Sequence, residues 1–215
     1  MENKFSMIGS KECRAFAMPD LIVQPEGNVI EGHAAVFNQV ANIGGWFNEV
    51  IERGAFDKTD FTDVLFSINH DLSKIPLARS RNNNENSTLF LKIDEEGLYS
   101  RASLDTDNNT EAKALYSAVE RKDITGMSFI FYVRDEVWED LDTDMPTRRI
   151  TDIAKVIEIS AVNFPAYPQT DINSRSESLD SVREKLDSLK ADYINKQNAL
   201  ALEQRKKEII LKTFM

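Results

Sequence analysis

The chain has 215 residues, 41% of them hydrophobic, and a formal charge of −10. That apolar share can build a core of ordinary size, and no run approaches the roughly 20 consecutive apolar residues that a membrane-spanning helix needs. The acidity argues against a nucleic-acid-binding surface, which requires clustered Lys and Arg to neutralise phosphate. A single cysteine, Cys13, excludes an internal disulfide and a cysteine-rich metal site, and reads as a small buried hydrophobe. The first residues lack the basic start and apolar stretch of a secretory signal, so export is not expected.

Strand patterns run over 13–17, 21–23 and 28–37, with Glu26-Gly27-Asn28 as a turn. Residues 46–51 are apolar with acidic interruptions, and 53–57 predict a turn into a short helix. A strand over 64–69 ends at His70-Asp71, and alternation over 88–94 and 97–104 predicts a hairpin through Glu95-Glu96. Residues 109–122 carry Ala112, Leu115, Tyr116 and Val119 at helical spacing, with Asp107 or Asn108 as N-cap. The strand after that helix sets Ser128, Ile130 and Tyr132 on one face and Met127, Phe129, Phe131 and Val133 on the other. An acidic loop is expected over 136–147, then a strand over 148–163 with Glu158, Ser160 and Val162 facing away from Ile157, Ile159 and Ala161. Pro165 and Pro168 end the sheet, because proline cannot donate to a ladder.

Residues 175–215 contain neither Gly nor Pro and predict one long helix. Leu179, Val182, Leu186, Leu189, Tyr193 and Leu200 follow a three-four spacing. That pattern is coiled-coil-like and suits self-association; it equally suits an amphipathic helix packed on its own domain. This segment holds 9 basic and 7 acidic side chains, which leaves −12 on residues 1–174. The expected organisation is a strand-rich α+β domain over 1–172 and a helical tail over 173–215.

A serine hydroxyl is a poor nucleophile until a base takes its proton, and the base works better when a third group orients it. Only His33 and His70 could be an imidazole base. His33 lies midway along a strand, whereas His70 closes one, where a side chain can face a cleft on a rigid support. Ser128, His70 and Glu158 could supply nucleophile, base and orienting carboxylate, with His33, Asp71 and Asp152 as rivals for the third place. G-x-S-x-G is absent, since Ile130 stands where its second glycine would be. No phosphate-binding glycine loop or zinc-binding histidine pair occurs, and Asp105-Thr106-Asp107-Asn108-Asn109 lacks the spaced glycine and closing glutamate of a calcium loop. No cofactor or metal is expected.

Three blocks resemble, in order and separation, the signatures of the tailed-phage prohead proteases. They are Asn69-His70-Asp71 with Pro76 and Arg79, Gly126 to Phe131 around Ser128, and Glu158 through Asn163-Phe164-Pro165-Ala166-Tyr167-Pro168. Residues 32–37 and 49–56 resemble that family's opening blocks, while Ala78 stands where the family usually has glycine. The resemblance implies a herpesvirus-protease-like β-barrel with peripheral helices and a serine endopeptidase using His70, Ser128 and Glu158. It also implies action in the host cytoplasm inside the viral prohead, on the major capsid protein or the scaffold and on the enzyme itself. Arg148-Arg149 is similar to the paired arginines that support the oxyanion in herpesvirus assemblins. The alternative is a non-catalytic assembly component that binds capsid or scaffold.

Overall fold

The computed structural model describes residues 11–163 and 175–213. In chain order the strands are β1 (Lys11–Ala17), β2 (Ile22–Gln24), β3 (Val29–Val36), β4 (Ala41–Ile43), β5 (Phe47–Ile51), β6 (Val64–Ile68), β7 (Ala78–Ser80), β8 (Leu89–Ile93) and β9 (Gly97–Ser103). Helix α1 (Thr110–Glu120) precedes two long strands, β10 (Gly126–Glu139) and β11 (Thr147–Val162), and α2 (Arg175–Thr213) follows them. One sheet runs β1-β10-β11-β5-β4, with β6 beside β11 and β7 beside β6; the other runs β2-β3-β9-β8. Both β5 and β6 pair parallel to β11, at residues 147–150 and 158–161 respectively.

The strand-rich α+β expectation matches this architecture, but the closed barrel does not form among the described residues. No strand of one sheet pairs along its length with a strand of the other. A backbone bond of 3.0 Å from Thr88 N–H to Arg79 carbonyl bridges the β7 and β8 edges without becoming a ladder. What joins the sheets is one apolar core. Phe16, Met127, Phe129, Phe131, Ile159 and Ala161 enter it from the first sheet, Ile30, Leu91, Leu98 and Ala102 from the second, and Ala112, Leu115 and Val119 from α1. Apolar burial has no directional demand, so it can hold two sheets together where strand edges do not meet.

Local departures from the sequence pattern have local causes. Residues 53–58 form turns and no helix; Gly54 sits at φ 94°, outside the helical region. Asn109, not Asp107 or Asn108, caps α1, its side chain accepting from the N–H groups of Glu111 and Ala112. Residues 136–139, expected in a loop, extend β10. They do so because Glu136 joins a buried ion cluster and Trp138 packs on Phe47 with ring centroids 5.1 Å apart.

That cluster sets Glu12 of β1, Glu49 of β5 and Glu136 against the guanidinium groups of Arg14 and Arg148. Arg148 Nη1 donates to Glu12 at 2.7 Å and Glu49 at 2.8 Å; Arg14 Nη2 donates to the same two carboxylates at 2.6 and 2.7 Å. Three buried carboxylates outnumber two arginines, and Lys185 of α2 supplies the third cation, 2.6 Å from Glu136. Around that contact α2 buries Val182 and Leu186 against Ile43 and Phe47, and Arg183 lies over the Trp46 ring at 3.8 Å. The early turns of the tail thus pack on their own chain. Farther along, Ile194, Leu200, Leu202, Ile209, Ile210 and Leu211 are exposed.

Truncating one partner of a buried ion pair strands the other charge, which is far costlier than losing a surface pair. Arg148→Ala should therefore destabilise the fold by about 3–5 kcal/mol, read as a lower urea midpoint at unchanged slope. Arg149→Ala, whose partners Glu139 and Glu52 lie near solvent, should leave the urea midpoint close to that of the wild type.

Candidate active site

Ser128, His70 and Glu158 come from three strand segments that adjoin in one sheet. Ser128 of β10 is the direct cross-strand partner of Ser160 on β11, and Ser160 is in turn the partner of Ser67 on β6. Glu158 lies two residues before Ser160, on the same face. Beyond Ile130 the register slips, so Phe131 pairs with Val156 and Ile157 is left over. This bulge returns Val156 to the core face, where Phe129 and Phe131 already lie, while Ser128, Glu158 and Ser160 stay on the opposite face.

His70 reaches that face from the turn after β6. Asn69 and His70 both have positive φ, 51° and 61°. A non-glycine residue held there costs on the order of 1–3 kcal/mol and persists only when its surroundings enforce it. The end of β11 does so. Asn69 N–H donates to the Ala161 carbonyl at 3.0 Å, His70 N–H to Ser160 Oγ at 3.0 Å, and Asn163 N–H to Asn69 Oδ1 at 3.0 Å.

The imidazole then bridges two oxygens. Nε2 lies 2.6 Å from Ser128 Oγ, and Nδ1 lies 2.6 Å from Glu158 Oε2. The other carboxylate oxygen, Oε1, accepts from the hydroxyls of Ser67 and Ser160, which are themselves 2.8 Å apart. Ser128, Glu158 and Ser160 have no exposed surface, and the His70 side chain retains 7% of its own. Burial pushes the His70 pKa down, but hydrogen bonds to Cys13 and Glu158 and the Glu158 charge outweigh it, raising the value to about 9. A cleft beside this turn is lined by Ser67, Asn69, Asp71, Lys74, Ile75 and Glu111 among others.

The remaining sequence candidates lie elsewhere. His33 donates from Nδ1 to Asp20 at 2.6 Å, and its Nε2 lies 3.1 Å from an Asp94 carboxylate oxygen. Asp71 accepts from Ser73 Oγ at 2.5 Å and Asp152 from Arg134 at 2.6 Å. Arg148 has five N–H donors, and all five are accounted for by Glu12, Glu49 and Glu136. None is left for an oxyanion. Arg149 is turned to Glu139 at 2.7 Å.

Three site residues escaped the sequence reading. Ser160 and Ser67 could have been suspected, the first from sharing a strand face with Glu158. Cys13 could not: its sulfur lies 3.1 Å from His70 Nε2 and 3.5 Å from Ser128 Oγ, a proximity created by the pairing of β1 with β10.

A buried hydroxyl, imidazole and carboxylate hydrogen-bonded in that order form the arrangement of a serine hydrolase. The family described as caudovirus prohead serine protease matches residues 20–185. The chain belongs to that family and is a serine protease. Among solved structures, the bacteriophage T4 capsid assembly protease, gp21, is similar over 72% of this chain and 99% of that chain, at 10% identity and a TM-score of 0.37. No curated protein sequence matches the chain.

A histidine whose folded pKa exceeds its unfolded value stabilises the fold fully below the unfolded pKa, and loses that contribution as pH rises through the folded one. For His70 the window runs from about pH 6.5 to about 9. Glu158→Gln keeps an acceptor and removes the charge, so the imidazole titration followed by NMR should move to lower pH. The stability gap between wild type and this variant should be widest below about pH 6.5 and should narrow toward pH 9.

Proposed function

We propose that the chain is a capsid-maturation endopeptidase in which Ser128 is the nucleophile, His70 the general base and acid, and Glu158 the group that orients and electrostatically supports His70. The observation that carries this reading is the His70 ring, 2.6 Å from an oxygen on either side, in a member of a prohead serine protease family. Ser128 Oγ attacks the scissile carbonyl while Nε2 takes its proton; the same proton passes to the leaving amine, and water repeats the cycle on the acyl-enzyme. Glu158 keeps Nδ1 protonated, so Nε2 is the free basic position, and its buried charge favours the imidazolium formed in the transition state. Ser67 and Ser160 occupy Oε1 and thereby leave Oε2 for His70. A module that only binds capsid or scaffold has no use for such a relay.

The substrates in this reading are the major capsid protein or the scaffold, and the enzyme itself, inside the prohead in the host cytoplasm. The two sheets around one core are read as an opened relative of the herpesvirus-protease-like barrel. Residues 1–172 are taken as the protease domain and 173–215 as its tail. The packing of Val182 and Leu186 on Phe47 makes the first turns of that tail a structural part of the protease.

Co-expression with the capsid protein and scaffold tests the reading. Wild type should cleave one of them and shorten itself over time by intact mass. Ser128→Ala should lower the rate by on the order of 10⁴-fold or more, with Glu158→Gln falling between it and wild type. Undiminished cleavage by Ser128→Ala would refute the assignment. A chain ending near residue 190 should keep cleavage and thermal stability, whereas one ending at residue 172 should lose stability because Glu136 then lacks Lys185.

A further inference from the structure

Ser128 has one hydroxyl proton, for which its two nearest partners compete. Oγ lies 2.8 Å from the Arg14 carbonyl oxygen, to which it donates, and 2.6 Å from His70 Nε2. With the proton directed to the carbonyl, the contact to Nε2 is satisfied only if Nε2 carries its own hydrogen and Oγ accepts it. The ring is then an imidazolium, donating from Nδ1 to Glu158 and from Nε2 toward Ser128. The same Nε2 hydrogen is within reach of Cys13 Sγ, at 3.1 Å. This charged form is a resting state: its Nε2 cannot accept the serine proton.

Cys13 arrives there by strand register. On β1, Cys13 is opposite Ile130 and Ala15 is opposite Ser128, so sulfur and hydroxyl project from the same face, one diagonal step apart. β1 is an edge strand held by β10, and Glu12 and Arg14, flanking the cysteine, are fastened on the other face by the buried ion cluster. The thiol is therefore held in place and does not dangle. In an acyl-transfer reaction the nitrogen of the leaving group must come to Nε2 to collect its proton. Sulfur and leaving group compete for one position.

We propose that Cys13 is a working member of this site: its sulfur accepts the Nε2 hydrogen of charged, resting His70, and when an arriving peptide takes the place of the sulfur that proton passes to water, leaving Nε2 neutral to receive the proton of Ser128. The proposal rests on the assignment of Ser128 and His70 given above. It adds a residue that lies outside the span matched by the family, residues 20–185. Among the described residues, the groups facing the imidazole are Cys13 from β1, Ser128 from β10 and Glu158 from β11, of which Glu158 supplies the charge and Cys13 a hydrogen-bond partner at Nε2. Asp71, next in sequence, is engaged with Ser73 and Lys74. The raised pKa of His70, in which the hydrogen bond with Cys13 opposes the downward push of burial, agrees with this arrangement.

The test needs no knowledge of the cleavage sequence. A fluorophosphonate phosphonylates an activated serine, its phosphorus bonding to Oγ as fluoride leaves and His70 takes the proton, so its rate against pH reports the protonation of the base. Cys13→Ala should move the acid limb of that profile down by about one pH unit or more, raising labelling near pH 7 by about tenfold. Cys13→Ser, which keeps an acceptor of lower charge affinity, should move it less. A Cys13→Ala limb that coincides with wild type or lies above it overturns the proposal. NMR titration of His70 in Ser128→Ala, with and without Cys13→Ala, gives the same decision without any activity: a lowered midpoint supports the proposal and an unchanged one refutes it. If wild type takes no label at any pH, the serine-protease assignment of Ser128 fails, and the titration still decides whether Cys13 holds the proton.

Discussion

The antiparallel pairing of β10 with β11 is the interaction on which the rest of the protein depends. Its register places Ser128 opposite Ser160 and Ile130 opposite Glu158, so the Ser128 hydroxyl and the Glu158 carboxylate share a face before any loop is considered. The bulge that skips Ile157 lets the same two strands feed Phe131 and Val156 into the core. One ladder thus serves two opposite demands, a dry apolar face and a buried polar one. A slip of a single residue would exchange them.

Two groups of buried carboxylates flank this ladder, and the protein treats them differently. Glu12, Glu49 and Glu136 are met by permanent cations, Arg14 and Arg148, with Lys185 at the rim. Arginine does not titrate in the accessible range, so that cluster is a fixed anchor. Among the described residues Glu158 has no arginine partner; it is met by two serine hydroxyls and by an imidazole, a group that can gain and lose a proton. The anchor also locates the site, because Glu12 and Arg14 clamp β1 on one face while Cys13 and the Arg14 carbonyl meet Ser128 and His70 on the other.

The strained turn at Asn69 and His70 belongs to the same economy. Its positive φ angles are held by backbone and hydroxyl groups at the end of β11, the strand that carries Glu158. His70 and Glu158 are therefore set by one element, and movement of either disturbs the other. Ser160 makes the link explicit, accepting from the His70 backbone while donating to Glu158.

What the sequence determined by itself was local and periodic. Alternation marked β3, β8, β9 and the site-bearing halves of β10 and β11, helical spacing marked α1 and α2, and the blocks around His70, Ser128 and Glu158 singled out three residues dispersed over the chain. Short strands such as β4 and β7 carry too few residues for any period to show, and the end of β10 looked like a loop because Glu136 is charged. Only the tertiary structure decided that this charge is neutralised from β11 and α2, that the sheets meet through a core without closing, and that Val182 and Leu186 of α2 pack on their own chain. It also decided what surrounds the imidazole. Glu158 could be distinguished from His33, Asp71 and Asp152 only by distance, and Cys13, Ser67 and Ser160 only by cross-strand register. Sequence periodicity says which face a residue occupies, but which residues meet on that face depends on strand order and register, which are settled between segments far apart in the chain.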